Sequence, residues 1–431
     1  RCTAICDKVQ NVAVIGPNER GFNVNIGSPF NMGLGDTSCV ACGQCIAVCP
    51  TGALAEKDNT YEVLEALADP TKYVIVQTAP SVRVGLGEAF GLPIGSNVQG
   101  KMVAALRRLG FDNVFDTDLG ADLTIMEEAN ELIERIENNG TLPLITSCSP
   151  GWIKYCEHYF PDMLDNLSSC KSPMQMFGAT TKTYYAEKIG VKPEDIYMVA
   201  IMPCTAKKYE IGRDDQDAAG VPDVDVSITV REFARMIERA DIDFMSLPDE
   251  EFDMPLGIST GASVIFGATG GVMEAALRTA VETLTNEELP SLNFTEVRGT
   301  KGIKEASYEI AGTEINVAIA SGLNNAKKLL EDVKSGKKQY HFIEIMGCPG
   351  GCVNGGGMPH VPSYVSNFTD VAATRAKALY KIDESMPIRK SHENPAIKEL
   401  YDNFFERPGS HKAHQLLHTS YVKRKINQPV S

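Results

Sequence analysis

Residues 342–352 read FIEIMGCPGGC, a short apolar run that ends in a glycine-rich loop with two cysteines. Such a run is typical of a strand buried on both faces of a parallel sheet. Three further apolar runs, residues 73–79, 142–146 and 197–202, have the same form and precede Pro80, Cys148 and Cys204. Helical patterns lie between the runs. The sequence therefore predicts an α/β fold with mainly parallel sheets.

The loops after these four strands predict one shared site. In open α/β sheets, ligands bind outside the carboxyl ends of the strands, and three of these ends carry cysteine. A lone cysteine at such a position is more often a buried free thiol. Four cysteines from three loops, together with the C-x3-C spacing of Cys348 and Cys352, favour a buried iron–sulfur cube instead. The neighbouring glycines let the backbone approach inorganic atoms closely.

Two helices can be predicted from residue spacing. Ser96 and Gln99 predict a capping box for a helix that ends at Gly110. A second helix, with apolar residues at 125, 129, 132, 133 and 136, ends before Gly140. Charged residues on one face of such a helix are usually solvated.

The overall composition excludes several classes of function. The chain has 431 residues, 43% of them hydrophobic, which suits two or three domains. Lys and Arg number 41 against 56 Asp and Glu, so the net charge is −15 and binding to nucleic acid or an anionic membrane is disfavoured. No apolar run is long enough to insert into a membrane, and no export signal is recognisable. We expect a cytoplasmic protein.

Residues 39–50 read CVACGQCIAVCP, which is the C-x2-C-x2-C-x3-C-P pattern of 4Fe-4S proteins. The first three cysteines wrap one cube, and the fourth binds a second cube; zinc-finger spacings differ. Cys2 and Cys6 form the second half of a sister motif whose start we expect upstream of residue 1. The pattern assigns Cys6, Cys39, Cys42 and Cys45 to one cube, and Cys2 and Cys49 to an outer cube that lacks two ligands in this chain. A hairpin of residues 11–14 and 22–26 is predicted beside them.

Four segments together resemble the iron-only (di-iron) hydrogenases of the clostridial, NAD(P)-linked type, and the similarity extends over the whole chain. These segments are TSCSPGW (146–152), MPCTAKKYE (202–210), EIMGCPGGCVNGGGMP (344–359) and KSHENPAI (390–397). The resemblance implies an N-terminally incomplete ferredoxin-like domain, residues 1–58, and a catalytic domain, residues 59–431. The latter has two α/β lobes with the active-site cluster between them. That H-cluster is a 4Fe-4S cube bridged to a di-iron unit with CO, cyanide and an amine dithiolate.

The resemblance also implies roles for individual residues. Cys204, Cys348 and Cys352 match cube ligands, with Cys352 bridging to the di-iron unit, and Lys207 matches a lysine that hydrogen-bonds a cyanide. The matching pocket wall consists of Pro80, Ser81, Pro173, Met202, Phe266 and Met346. The matching proton relay consists of Glu128, Glu131, Ser168 and Arg135.

The loop at residue 148 departs from the family pattern. The family has two adjacent cysteines there, a proton relay followed by a cube ligand, whereas this chain has Cys148 and then Ser149. Spacing assigns the ligand position to Ser149, but a neutral hydroxyl is a poor iron ligand beside a thiolate. We therefore expect Cys148 to bind the cube and Ser149 to serve the relay; the reverse is the alternative.

The implied activity is the reversible interconversion of protons and electrons with dihydrogen, in the cytoplasm of an anaerobe. Electrons would pass through the 4Fe-4S clusters to a ferredoxin or to redox-partner subunits near the N-terminal domain, within a hetero-oligomeric complex. The alternative is a hydrogenase-like iron–sulfur assembly or scaffold protein without the di-iron unit. A periplasmic form exported with another subunit is an alternative location. The sequence does not determine the electron donor or the physiological direction.

Overall fold

In the computed structural model, which describes residues 1–310 and 312–425, two four-stranded sheets form the centre of the molecule. Residues 426–431 of the predicted catalytic domain lie outside the described residues. The strands are β1 Gly16–Asn18, β2 Asn25–Gly27, β3 Tyr73–Thr78, β4 Asn113–Asp116, β5 Leu144–Ile145, β6 Ile196–Met202, β7 Val226–Thr229, β8 Ile303–Ile310, β9 Thr313–Ser321 and β10 Phe342–Met346.

Helices pack against both sheets. They are α1 Cys2–Ala4, α2 Gln44–Ala47, α3 Thr60–Ala68, α4 Gln99–Leu109, α5 Asp118–Glu137, α6 Pro150–Tyr159, α7 Pro173–Thr180, α8 Ala186–Ile189, α9 Lys207–Glu210, α10 Val230–Arg239, α11 Gly261–Val264, α12 Gly271–Thr285, α13 Leu323–Lys334, α14 Ser363–Ser366, α15 Val371–Ser385, α16 Pro395–Leu400 and α17 His411–Leu417. No helix within these described ranges is long and apolar enough to cross a bilayer.

The first sheet has the order β4-β3-β6-β7, and all its strands are parallel. Residues of β3 and β6 pair in register from Tyr73 with Ile196 to Thr78 with Ile201. Nearly all of their side chains are buried, which explains why the sequence shows continuous apolar runs rather than alternation.

The second sheet has the order β5-β10-β9-β8 and is mixed. The first three strands are parallel, with Phe342 of β10 between Leu144 of β5 and Val317 of β9. Strand β8 pairs antiparallel with β9 and forms the outer edge. The predicted pair of α/β lobes with mainly parallel sheets is confirmed.

The helix between the lobes positions both sheets relative to the site. α5 follows β4 of the first sheet and packs against α7 and α12. Gly120 of α5 has room only for hydrogen, because an added Cβ would lie 2.2 Å from the carbonyl oxygen of Pro173. This close approach brings α5 and the start of α7 to the carboxyl ends of the strands.

Three local predictions need correction. The N-terminal hairpin exists, but its strands are Gly16–Asn18 and Asn25–Gly27, so its first strand lies in the expected turn. The helix ending at Gly110 begins at Gln99 with Val98 as N-cap, and Ser96 donates to the Pro93 carbonyl instead of capping. Of the run 142–146, only Leu144–Ile145 forms a strand. The helix start differs because a short polar side chain such as Ser96 satisfies a local carbonyl as readily as it caps a helix.

Candidate active site

A cavity lies at the carboxyl ends of both sheets. It brings together the six predicted wall residues with the cysteines and the lysine of the three loops. The wall residues are Pro80, Ser81, Pro173, Met202, Phe266 and Met346, and the loop residues are Cys148, Ser149, Cys204, Lys207, Cys348 and Cys352. Because the lining is mostly apolar, the cavity holds bound groups away from bulk water.

The cavity thiols are held in their neutral form by their surroundings. Burial raises the pKa of Cys352 to about 12, and the neighbouring thiolate charge of Cys204 adds to the rise. Burial also raises the pKa of Cys348, again with contributions from Cys204 and Cys352. Three thiols this close and this buried can ionise together only if a cation neutralises them. Iron supplies that charge, so the donor set fits an iron–sulfur cube.

The backbone around these cysteines approaches the cavity closely. A Cβ at Gly355 would lie 2.1 Å from the Pro203 carbonyl oxygen, and one at Gly351 would lie 2.6 Å from the amide nitrogen of Thr269. The hydroxyl of Ser81 lines the cavity, is fully buried, and has no hydrogen-bond partner among the described residues. An unpaired buried donor fits a bound group with acceptor atoms, such as a cyanide ligand.

Cys148 and Ser149 line the same cavity but have different neighbours. Burial raises the pKa of Cys148, and the next largest effect is the charge of Glu128. The hydroxyl of Ser149 accepts a hydrogen bond of 3.1 Å from the amide of Gly347, the residue before Cys348. A Cβ at residue 347 would also lie 3.1 Å from that hydroxyl. Ser149 therefore lies beside the loop that carries Cys348, whereas Cys148 lies within electrostatic reach of both Glu128 and Cys352.

Lys207 is fixed at the edge of the cavity by two contacts. Its ammonium donates to Oε2 of Glu210 at 2.7 Å and to the carbonyl oxygen of Cys148 at 3.3 Å. Glu210 also accepts from Ser172, so its carboxylate is itself held. The sequence analysis missed Glu210, although its position three residues after Lys207 on a short helix was a usable signal.

The four expected relay residues lie in one row from the surface to the cavity. Arg135 binds Oε1 of Glu131 at 2.7 Å, and Ser168 donates to Oε2 of Glu131 at 3.0 Å. Glu128 is fully buried, and neither of its carboxyl oxygens has a hydrogen-bond partner within the described residues. Burial, followed by the charge of Glu131, raises the pKa of Glu128 to about 8. The nearby Ser168 hydroxyl and Ser147 amide offset only part of that rise, because neither meets the geometry of a hydrogen bond to the carboxylate.

The N-terminal cysteines form a second group. Burial raises the pKa of Cys45 to about 11, and the charges of Cys39 and Cys6 add to the rise. Burial also raises the pKa of Cys42, and the charges of Cys39 and Cys45 contribute. These four are therefore mutual neighbours, as the motif predicts. Cys49 differs: a hydrogen bond from the Thr51 amide lowers its pKa to about 7.

The two cysteine groups meet at a tight contact between the N-terminal segment and the cavity loops. The charge of Cys348 is the second largest cause of the raised pKa of Cys42. Gln44 donates to the Asn354 carbonyl at 2.9 Å, and Thr205 donates to the Ala41 carbonyl at 2.6 Å. Sequence reasoning missed Gln44, since a glutamine between two cysteines carries no signal of a long-range contact.

Comparison with known proteins gives consistent matches. The model for the iron-only hydrogenase large subunit, C-terminal domain, matches residues 72–356. Residues 369–424 match the iron hydrogenase small subunit, and residues 36–55 match a 4Fe-4S binding domain.

Individual relatives agree with these matches. The chain is 52% identical over 431 residues to the NADP-reducing hydrogenase subunit HndD of Solidesulfovibrio fructosivorans, covering 99% of this chain and 73% of that protein. The solved structure of apo [FeFe]-hydrogenase HydA1 from Chlamydomonas reinhardtii matches with a TM-score of 0.76 at 43% identity, covering 86% of this chain and all of that one. The cytosolic Fe-S cluster assembly factor narfl of Xenopus tropicalis is more distant, with 30% identity over 407 residues, 90% of this chain and 84% of that protein.

Proposed function

The chain belongs to the iron-only hydrogenases, and from that membership we propose which of its residues carry the reaction. It is an oxidoreductase that interconverts protons and electrons with dihydrogen, and it uses 4Fe-4S clusters and the H-cluster. The observation that supports the residue assignment is the convergence of three cysteine loops and Lys207 on one enclosed, mostly apolar cavity. The greater distance of the assembly-factor relatives argues against the scaffold alternative.

We assign the active-site cube to Cys204, Cys348 and Cys352, with Cys352 as the bridging ligand. When bound, the H-cluster supplies the metal chemistry that splits and forms dihydrogen. The protein's own contribution is a dry pocket, fixed hydrogen-bond donors and a path for protons. The apolar wall of Pro80, Met202, Phe266 and Met346 excludes water, which strengthens every polar interaction inside it.

We propose that Ser149 faces the cube and that Cys148 serves the proton relay, which is the alternative to the assignment expected from sequence. Two contacts support the proposal. Cys148 lies within the field of Glu128, the inner member of the relay row. Ser149 hydrogen-bonds the amide next to Cys348. In this arrangement Ser149 occupies the ligand position, although a hydroxyl binds iron more weakly than a thiolate does.

Lys207 is proposed as the donor to an anionic diatomic ligand. Its ammonium is buried at the cavity edge and already neutralised by Glu210, so it can donate a further hydrogen bond without adding net charge. The paired geometry also prevents the side chain from moving out of the cavity.

Protons are proposed to pass along Arg135, Glu131, Ser168 and Glu128 to Cys148. Arg135 and Glu131 are partly exposed, whereas Ser168 and Glu128 are buried, so the row runs from solvent inward. A carboxyl whose pKa is about 8 exchanges protons readily near neutral pH, because both of its forms are populated there.

The N-terminal residues 1–58 are proposed as the ferredoxin-like domain, and residues 59–431 as the catalytic domain. Cys6, Cys39, Cys42 and Cys45 would hold the inner cube, and the electrostatic effect of Cys348 on Cys42 supports electron transfer from that cube to the active site. Cys2 and Cys49 would hold part of an outer cube. By analogy with the name of the HndD relative, we propose redox-partner subunits near the N-terminal domain and a cytoplasmic complex.

The test of the proposed site is production of the chain, without oxygen, together with the maturation factors of this enzyme class. We expect hydrogen evolution from a reduced viologen and infrared bands of iron-bound CO and cyanide. Iron–sulfur absorbance without these bands, and without turnover, would identify an assembly-type protein instead. The Lys207→Ala variant is expected to lose the cyanide contact and shift those bands.

The assignment of residues 148 and 149 has its own pair of variants. We expect Cys148→Ser to keep the active-site cube but lose about 100-fold in turnover, because a hydroxyl is a poorer proton carrier than a thiol. We expect Ser149→Cys to change the electron paramagnetic resonance of that cube and its midpoint potential. If Cys148→Ser instead removes the iron of the active-site cube, Cys148 is the ligand and the proposal fails.

A further inference from the structure

A second cavity, open to solvent, adjoins the loop between Cys348 and Cys352. It shares none of its lining residues with the central cavity. Its walls are Thr269 beside Gly350, the turn of residues 298–300, and one face of α15. The proton relay and the metal sites described above do not use any of these side chains.

Thr269 offers this cavity a hydroxyl that has no other partner. The residue is 2% exposed, its amide donates to the Gly350 carbonyl, and its own carbonyl accepts from Lys304 at 2.9 Å. The residue lines the cavity, and its buried hydroxyl has no hydrogen-bond partner among the described residues. Since a buried donor without a partner is unfavourable, a ligand atom that accepts a hydrogen bond would stabilise this position.

In the described chain, Tyr380 is a second lining residue with an unpaired hydroxyl. Its phenol oxygen is buried and also lacks a partner within the part of the chain that the structure describes. The guanidinium of Arg298 lies over its ring, 4.4 Å from the centroid. Two nitrogens of Arg298 bind Glu274, which fixes the guanidinium at the cavity wall.

Lys377 and Lys381 add positive charge on the same face of α15. They are exposed, one helical turn apart, and both line the cavity, and in the described residues neither forms an ion pair. Like charges at this spacing repel each other, so a bound anion would relieve the repulsion. Glu384 is the one carboxylate among the lining residues, against the three cations Arg298, Lys377 and Lys381. The concentration of positive charge contrasts with the net charge of −15 of the whole chain.

We propose that this cavity is a binding site for a small, multiply charged oxyanion, with phosphate or carboxylate groups. The lysines would supply charge-assisted hydrogen bonds, and the two hydroxyls would supply neutral ones. Phosphate and carboxylate groups both offer negatively charged oxygens that accept hydrogen bonds, and the experiment distinguishes between them. The proposal does not rest on the hydrogenase reaction, because none of its groups lies in the central cavity.

The test is isothermal titration calorimetry of the cluster-containing chain, without oxygen, with pyrophosphate and separately with citrate. We expect saturable binding of one anion per chain. Tighter binding of pyrophosphate identifies a phosphate site, and tighter binding of citrate identifies a carboxylate site. The double variant Lys377→Gln/Lys381→Gln is expected to weaken binding about tenfold, and Thr269→Val about fivefold.

The matched control is Lys328→Gln/Lys398→Gln, which removes two exposed lysines outside the cavity. It is expected to bind as the unaltered protein does, and circular dichroism verifies that all variants are folded. The absence of saturable binding of either anion to the unaltered chain overturns the proposal. So does an equal loss of affinity in the control and in the Lys377→Gln/Lys381→Gln variant.

Discussion

The cysteines of residues 39–49 and those of the central cavity differ in how the chain brings them together. The first set lies within one short loop and the adjoining helix α2. The second set comes from loops at residues 148, 204 and 348–352, which follow strands of two different sheets. The first site depends on local backbone geometry, whereas the second exists only if both sheets are folded and correctly packed.

The two sets also differ in their electrostatics. Hydrogen bonds from the backbone and side chain of Thr51 lower the pKa of the solvent-accessible Cys49 to about 7. Burial raises the pKa of Cys352 to about 12. A ligand at the surface can therefore ionise before it meets iron, whereas a cavity ligand releases its proton when iron binds. The site in the central cavity therefore requires both a folded scaffold and a metal that neutralises its thiolates.

The largest effect is expected from removing one ligand of either set. Cys348→Ser should abolish hydrogen turnover and the iron of the active-site cube, while the resonance signal of the N-terminal cube remains. Cys42→Ser should remove the resonance signal of the N-terminal cube and leave the active-site cube in place. Iron analysis and electron paramagnetic resonance measure both outcomes. Loss of both cubes in either variant would show that the two sites do not assemble separately.

The next largest effect is expected on the supply of protons to the central cavity, which the N-terminal cube does not need. Glu131→Gln is expected to lower turnover about 100-fold with both cubes intact, because the amide cannot pass a proton between Arg135 and Ser168. The control is Glu134→Gln, an exposed position on the same helix, which should leave turnover unchanged. Hydrogen evolution from reduced viologen is the measurement. Equal rates in the two variants would remove Glu131 from the relay.

A smaller effect is expected from weakening the scaffold under the cavity. Ile343 of β10 is fully buried, and Ile343→Ala should lower the free energy of unfolding by about 3 kcal/mol. Ile26, in the N-terminal hairpin, is 50% exposed, and Ile26→Ala should change it by less than about 0.5 kcal/mol. Denaturant unfolding followed by circular dichroism compares them. We expect the active-site cube, and not the N-terminal cube, to be lost first from Ile343→Ala.

The last effect is a dependence of stability on pH at Glu128. Its folded pKa of about 8 lies above its ordinary value, so the folded protein binds the proton more tightly. The unfavourable contribution is therefore absent below the ordinary carboxyl pKa and grows as the pH rises towards 8. Glu128→Gln should remove this decline, so its melting temperature should exceed that of the unaltered chain more at pH 8 than at pH 5. An equal difference at both values would contradict the raised pKa.

How far each site could be predicted depends on whether its residues are neighbours in the sequence. The grouping of Cys39, Cys42 and Cys45 was predictable because the ligands are neighbours in sequence. The strand ends at Met202 and Met346 were predictable because buried strands have continuous apolar runs. The hairpin bounds and the N-cap at Val98 were not, because short polar residues fit several local hydrogen-bond patterns. The contact of Gln44 with Asn354 was also not predictable, since no local pattern accompanies it.

The α/β class, the family and the residues that can bind iron follow from the sequence alone, because spacing and residue chemistry are local properties. The tertiary structure decided which side chains face each other across the cavity. Cys148 and Ser149 are adjacent in sequence, yet one lies near Glu128 and the other contacts the amide of Gly347. The direction of each side chain depends on how α5 and β10, from different parts of the chain, pack around that loop. Only the folded packing supplies that information.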